Sequence, residues 1–417
     1  MHNEIRLSPV SKSERFEILD ILRGFALYGV LMSNLVWFCY SNFDPEIGII
    51  FSKTKLDEIV IDVETFLVVN KFITIFSFLF GIGFAIQLDR IIQRGEKFSS
   101  FYFRRMMWLF VIGFISIFLI GLDILHLYAI LGVCLIFSRS LSNFQLLIWG
   151  IICTCVFPVL IRIFISSSHY FFGEQVDLEQ LFSDKWEAID KLNSVFYGNN
   201  YVDVIKRNFA DAWVWFTTDE FITIGVSSFG LFLLGFLVGR SKLLINLKNG
   251  MSELDKLKFY KVLRWSLIVG VICQGVLLLD IPKLKNEDLV WVKGVRELLW
   301  RVGVLALALF YICLIIHIHQ RGKALKLFHY FAVVGRMALT NFVGQSVIIF
   351  FIFYGLAFYG KVGATISVVL TTIIYIVQVI YSHWWLKRFR YGPLEWLWRT
   401  LSYGKLEKLS SPRGREK

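Results

Sequence analysis

The chain has 417 residues, 56% hydrophobic and 18% charged, with a formal charge of +12 and a mean hydropathy of +0.63. An apolar share this large exceeds that of a soluble domain, which excludes soluble enzymes and loop-rich disulfide scaffolds. The surplus of Lys and Arg reads as membrane topology and contact with anionic lipid. No basic stretch interleaved with aromatics stands apart from the apolar segments, so nucleic-acid binding is not expected.

The expected fold is all-α, a polytopic transmembrane helix bundle. About ten spans are predicted, near 18–39, 65–87, 106–121, 124–138, 144–166, 221–239, 265–280, 298–317, 332–354 and 364–386. The first 17 residues are polar and no small-residue cleavage pattern follows the first span, so that span reads as an uncleaved helix. The third and fourth spans are short and separated by Gly121-Leu122-Asp123, which makes them a tight helical hairpin or a re-entrant element. Three regions result: an N-terminal transmembrane half at 1–167, an extracytoplasmic loop at 168–220, and a C-terminal transmembrane half at 221–417 with an interfacial tail.

Orientation follows from the basic clusters. Arg6, Lys12 and Arg15, then Arg90, Arg94, Lys97, Arg104 and Arg105, and later Arg240 to Arg264, Arg321 to Lys326 and Lys387 to Arg390, fall on alternate connections. Both termini are therefore expected in the cytoplasm of a multi-pass plasma-membrane protein. The first connection agrees, because Asp44, Glu46, Asp57, Glu58, Asp62 and Glu64 outweigh Lys53 and Lys55 there. All six cysteines lie within or at the edge of spans, and Cys153 and Cys155 point about 200° apart on a helix, so neither disulfides nor a metal site is expected.

Charged and amide residues inside the spans are the functional candidates. In the first span Asp20 and Arg23 share a helical face, and Asn34 returns to it about 16 Å further along. That stripe either binds an anionic ligand or pairs internally, with Arg23 reaching headgroups. Lys71 opens the second long apolar stretch and either reaches outward or meets an anion at an outward-opening cavity. Asp123 and His126 share a face, as a carboxylate orienting an imidazole general base would, although Asp123 is equally placed to cap the next helix. In the ninth span Arg336 is a second arginine at the depth of Arg23, fit to complete a phosphate clamp, while Asn341 and Gln345 are one turn apart and suited to ligand or interhelical hydrogen bonds. The tail from His383 to Arg399 alternates Trp with Arg, as an interfacial anchor or a flap over a cytoplasmic entrance would. No GxSxG elbow, P-loop, HExxH or dinucleotide fingerprint occurs.

Five segments together resemble the YeiB-like bacterial membrane proteins: Leu19 to Asn34, Lys71 to Phe84, Asp123-Ile124-Leu125 with Tyr128-Ala129, Gly335 to Asn341 with Gln345-Ser346, and Tyr391 to Arg399. The C-terminal half of that family is a domain of unknown function, and the activity the resemblance implies is transport. A more distant resemblance joins Leu19-Asp20-x-x-Arg23-Gly24 and Asn34 to the first span of the transmembrane acyltransferases, which include the acyltransferase-3 and heparan-glucosaminide N-acetyltransferase groups. It implies a cytoplasmic acyl-CoA as co-substrate, no metal, and a small-molecule or lipid or glycan acceptor. In that comparison Asn34 stands where the acyltransferase-3 enzymes have a histidine, and no histidine lies between His2 and His126. Three classes stay open: an acyltransferase with Arg23 and Arg336 on the CoA phosphates, a transporter for a lipid-like or anionic small molecule, and a non-catalytic protein that binds lipid or a partner. Membrane lipids are the one partner common to all three, and self-association is compatible with each.

Overall fold

The computed structural model describes residues 16–39, 54–93, 98–121, 124–171, 200–241, 252–279, 289–356 and 362–404, with a few single positions between them. Its elements there are all helices. In chain order they are α1 (Glu17–Cys39), α2 (Lys55–Leu67), α3 (Lys71–Gln93), α4 (Phe98–Ile120) and α5 (Leu125–Phe137). Next α6 (Asn143–Ile151) runs through a π-helical turn at Ile152–Val156 into α7 (Phe157–Phe171). There follow α8 (Tyr201–Phe216), α9 (Asp219–Arg240), α10 (Glu253–Leu278), α11 (Val290–Gln320) and α12 (Leu325–Arg336). The chain closes with α13 (Ala338–Phe350), α14 (Ala364–Arg388) and α15 (Pro393–Tyr403).

Nine helical stretches among the described residues are long and apolar enough to cross a membrane, and Leu125–Ser140 is a shorter apolar one. The protein is thus an all-α polytopic helix bundle. Several starts are set by hydroxyl caps: Thr54, Thr218 and Ser252 accept from Asp57 N, Phe221 N and Asp255 N, and Ser142 forms a reciprocal capping box with Gln145. These side chains take backbone donors that the first helical turn leaves open.

Lipid gives helices no hydrophobic reason to associate, so close backbone approach carries much of the packing. A Cβ on Gly24 of α1 would collide with the Phe331 carbonyl of α12, and one on Gly335 would collide with the Asp20 carbonyl. Gly81 of α3 and Gly235 of α9 make the same kind of contact, against Phe232 O and Phe78 O. Around these seams a buried aromatic core forms, with Phe80 stacked on Phe232 at 4.4 Å and Phe84 edge-on to Phe236 at 4.9 Å.

The ninth expected span is not one helix. At Met337, with φ −115° and ψ 39°, the chain leaves helical geometry, and α13 starts afresh at Ala338. The new start is held from a distance: Glu395 of α15 accepts from Leu339 N at 2.6 Å, from Thr340 N at 3.1 Å and from the Thr340 hydroxyl. A carboxylate on open N–H groups at a helix N-terminus is favoured by hydrogen bonding and by the helix dipole together. That tie fixes α15, which the sequence reads as a surface anchor, into the bundle. Trp398 Nε1 donates to Arg105 O of α4 at 2.8 Å, and Ser402 is fully buried.

The two ends of the bundle are distinguished by α14, roughly 37 Å long at 1.5 Å per residue. Its start is bound by Asp57 of α2, which accepts from Thr365 N at 2.9 Å and Thr365 Oγ1 at 2.7 Å. Its far end leads into α15. The α15 end is the one the charge pattern assigns to the cytoplasm.

Candidate functional site

At the α15 end four arginines from four helices converge on one region. Arg23 of α1 pairs with Asp20 at 3.2 Å, one of the alternatives the sequence leaves open, and stays about one-third exposed while Asp20 is buried. Its guanidinium lies against Gly83 of α3, 3.9 Å from where a Cβ would stand. One turn on, Gln87 donates to Gly83 O at 3.1 Å, and its Oε1 is buried without a hydrogen bond. A methyl group at Gly83 would meet Arg23 at ordinary contact distance, so only a larger side chain there would crowd it.

Arg105 of α4 stands over Trp398, with Cζ 3.6 Å from the ring centroid, and within electrostatic reach of Arg23 and Arg399. Arg399 of α15 stands over Tyr391 at 4.7 Å and Tyr403 at 5.5 Å. The Nε atoms of Arg105 and Arg399 are both buried and have no acceptor. Arg336 ends α12, and the contact between Gly335 and Asp20 brings it to the level of the Asp20–Arg23 pair. Among the described residues Asp20 is engaged on Arg23 and Glu395 on the start of α13. Burial holds the Glu395 carboxyl above its ordinary range, against the opposing pull of its hydrogen bonds to Thr340 and Leu339. The buried donors left without a hydrogen bond here include the Nε atoms of Arg105 and Arg399.

The other expected residues separate. Asn34 is half-buried, 11 residues beyond Arg23 and far from this cluster along α1. Asn341 and Gln345 are buried and bind neighbouring helices: Asn341 Nδ2 donates to Val334 O at 3.1 Å and Ser382 Oγ at 3.0 Å, and Gln345 Nε2 donates to Gln378 Oε1 at 2.9 Å. Gln378 returns a bond to Asn341 O at 2.8 Å, which closes a polar seam between α13 and α14. Lys71, at the α2 end, is completely buried and donates to Thr65 O at 2.6 Å and Gln274 Oε1 at 3.0 Å.

Asp123 lies outside the described residues, as do most of the expected extracytoplasmic loop and most of the acidic first connection. His126 is buried, edge-on to Phe216 at 5.3 Å and Trp215 at 6.2 Å. It opens α5, and Arg139 just past the far end of that helix donates to Ser99 near the start of α4, so about 16 Å of helix lies between His126 and that end. In the sequence Arg105 reads as a topology signal and Arg399 as part of an anchor or flap. The signal that marks both is arginine placed among aromatics in segments that meet only in the fold.

Among the described residues no group of three or more His, Cys, Asp and Glu is placed to hold a metal ion, and the described cysteines, Cys134, Cys153, Cys155, Cys273 and Cys313, are free thiols. Residues 247–405 match the family model described as Protein of unknown function (DUF418). The chain is 30% identical over 417 residues to the uncharacterised protein YxaH of Bacillus subtilis (strain 168), covering 95% of this chain and 96% of that relative. It is 26% identical over 405 residues to an uncharacterised 39.9 kDa protein in the amylase 3' region of Bacillus acidopullulyticus, covering 96% and 97%. A 71-residue stretch is 38% identical to the uncharacterised protein YeiB of Escherichia coli (strain K12), 17% of this chain and 18% of that one. No solved structure matches. The near full-length likeness to YxaH, the domain match and the apolar helices converge on one assignment: the chain belongs to the YeiB-like, DUF418-containing family of membrane proteins.

Proposed function

We propose that the protein binds a phosphate-bearing anion at the α15 end, with acyl-CoA the leading ligand. The observation that carries this reading is the pair of buried, acceptor-free Nε donors on Arg105 and Arg399, with Arg23 in electrostatic reach. Buried donors of this kind need acceptors, and guanidinium groups fit phosphate oxygens in fixed two-point geometry. Arg23 and Arg336 extend the clamp, Asp20 orients Arg23, and the aromatic faces of Trp398, Tyr391 and Tyr403 keep the guanidinium groups in place. Gln87 Oε1 offers an acceptor to the same ligand.

Acyl transfer to a small-molecule, lipid or glycan acceptor would follow from an acyl-CoA bound there. Asp123 and His126 are the sequence's acid–base pair for that step, and the length of α5 sets the distance an acyl group must cover. Transport of a lipid-like or anionic molecule is the second reading. It is favoured by the break between α12 and α13, since transporters build ligand sites around interrupted helices.

Thermal unfolding of the purified protein in neutral detergent, with CoA, acetyl-CoA, a long-chain acyl-CoA and inorganic phosphate, tests the site. A ligand at a hundred times its Kd raises folded-state stability by about 2.7 kcal/mol. CoA and its thioesters are expected to raise the unfolding temperature of the wild type, and Arg105→Gln, Arg399→Gln and Arg23→Ala to lose most of that shift. Equal shifts in wild type and variants, or none, would remove the proposal. In proteoliposomes, consumption of the thioester marks acyl transfer, and saturable accumulation of an intact anion marks transport.

A further inference from the structure

A second cationic site lies at the opposite end. Between α2, α7, α10 and α11 a cavity of about 320 Å³ is lined by Arg162, Lys293 and Arg296, with Phe66, Leu277, Leu278 and Trp300 beside them. Among the described residues one carboxylate lines it, Glu297, which is held by Arg301 at 2.6 Å, and Arg301 in turn donates to Ser227 at 3.1 Å. Among the described lining residues three cations thus stand with one carboxylate, itself paired with Arg301.

Lys71 adds a fourth cation behind the cavity floor. Its ammonium is wholly buried, donates to Thr65 O and Gln274 Oε1, and stands 4.6 Å from the centroid of the Trp300 ring. Thr65, Gln274 and Trp300 are all cavity-lining residues. Gln274 is fixed on both sides, because its Nε2 also donates to Trp300 O at 3.3 Å. Lys71 has no ion-pair partner among the described residues. A buried ammonium with only neutral acceptors and a ring face around it is left without a counter-ion, and a field of like charges raises the cost of keeping it there. An anion in the cavity would offset both.

We propose that this cavity is a binding site for an amphipathic organic anion, one carboxylate or phosphate joined to a short apolar body. Arg162, Lys293 and Arg296 contact the anionic group, while Phe66, Leu277, Leu278 and Trp300 take the apolar part. Lys71 acts as a positioning residue: it holds Gln274 and Trp300 and contributes charge from beneath the floor. The volume is at the lower limit of ligand pockets, which suits a headgroup-sized molecule and excludes a whole nucleotide thioester. The site rests on different residues from the arginine cluster and stands or falls without it.

The test uses the full chain in phosphatidylcholine nanodiscs, with calorimetric titration of octyl phosphate, octanoate, octyl glucoside and inorganic phosphate. Octyl phosphate and octanoate are expected to bind, at least tenfold more tightly than inorganic phosphate, and octyl glucoside not to bind. The Lys293→Gln/Arg296→Gln pair should weaken binding at least tenfold, Lys71→Gln should weaken it by a smaller factor, and Arg399→Gln should leave it unchanged. The Lys293 and Arg296 side chains are partly exposed at the bundle end, so their replacement keeps the protein folded even if Lys71→Gln does not. A parallel set of nanodiscs containing phosphatidylglycerol separates the two sources of such an anion. If octyl phosphate binds only in its absence, the native occupant is an anionic lipid headgroup; if it binds in both, the occupant is a free amphiphile. Absence of octyl phosphate and octanoate binding in neutral nanodiscs, or binding that the double variant leaves intact, would overturn the proposal.

Discussion

Glu395 shows how one side chain joins two regions that look unrelated in sequence. It sits in a Trp- and Arg-rich tail, yet its carboxylate carries the first turn of α13 through Leu339 N, Thr340 N and the Thr340 hydroxyl. Glu395→Ala should therefore cost about 1–3 kcal/mol, the range for a charge-assisted bond with partners left unsatisfied, measured by thermal or denaturant unfolding in detergent. Its pH dependence has a definite sign. Burial raises the carboxyl above its ordinary value of 4.5, so the folded state holds the proton more tightly than the unfolded chain. The stability this contributes is complete below about 4.5 and is lost as pH rises through the folded-state pKa. Unfolding midpoints between pH 4.5 and 8 should accordingly show wild type losing stability relative to Glu395→Gln as pH increases. A difference that grows in favour of wild type would mean the hydrogen bonds outweigh burial. Nothing in residues 391–399 announces this role, because the acceptor and its donors are more than 50 positions apart.

At the scale of helices, glycine placement decides which pairs touch. Gly24 and Gly335 let the α1 and α12 backbones meet beside the Asp20–Arg23 pair, and the arginine end is assembled around that contact. Gly24→Ala and Gly335→Ala should each destabilise by about 1–3 kcal/mol through overpacking and should also weaken any ligand held by Arg23 and Arg105. Gly275→Ala on α10, where a Cβ meets nothing within 4 Å, is the matched control and should be near neutral. Alanine at Gly24 with no loss of stability would mean that α1 and α12 separate readily. Both glycines adjoin an arginine in the sequence. Their pairing with each other is not legible there, since 311 residues separate them and helical periodicity records only local faces. The α12–α13 break was hidden for the same reason: apolar content continues across Met337, and the carboxylate that stabilises the new start comes from elsewhere in the chain.

Over the whole molecule, the two cationic regions stand at opposite ends of a bundle about 37 Å long, taken from α14. The charge pattern assigns the α15 end to the cytoplasm, which impermeant thiol labelling in intact cells checks directly. Asn200→Cys should label from outside and Ser252→Cys only after permeabilisation, in a background without the native cysteines. The reverse pattern would invert the topology and with it the side from which each ligand arrives. The sequence by itself determined that this is a helical membrane protein, its approximate spans, its family, and that Asp20 and Arg23 share a helical face. Those are consequences of composition, of 3.6-residue periodicity and of short separations. Only the tertiary structure decided that Arg105 and Arg399 join Arg23, that Lys71 lies buried beneath a cationic cavity, and that Asn341 and Gln345 form a seam between helices. Each of these depends on which faces meet across long separations, and helix packing in lipid is set by the fit of small residues and polar partners that no single segment contains.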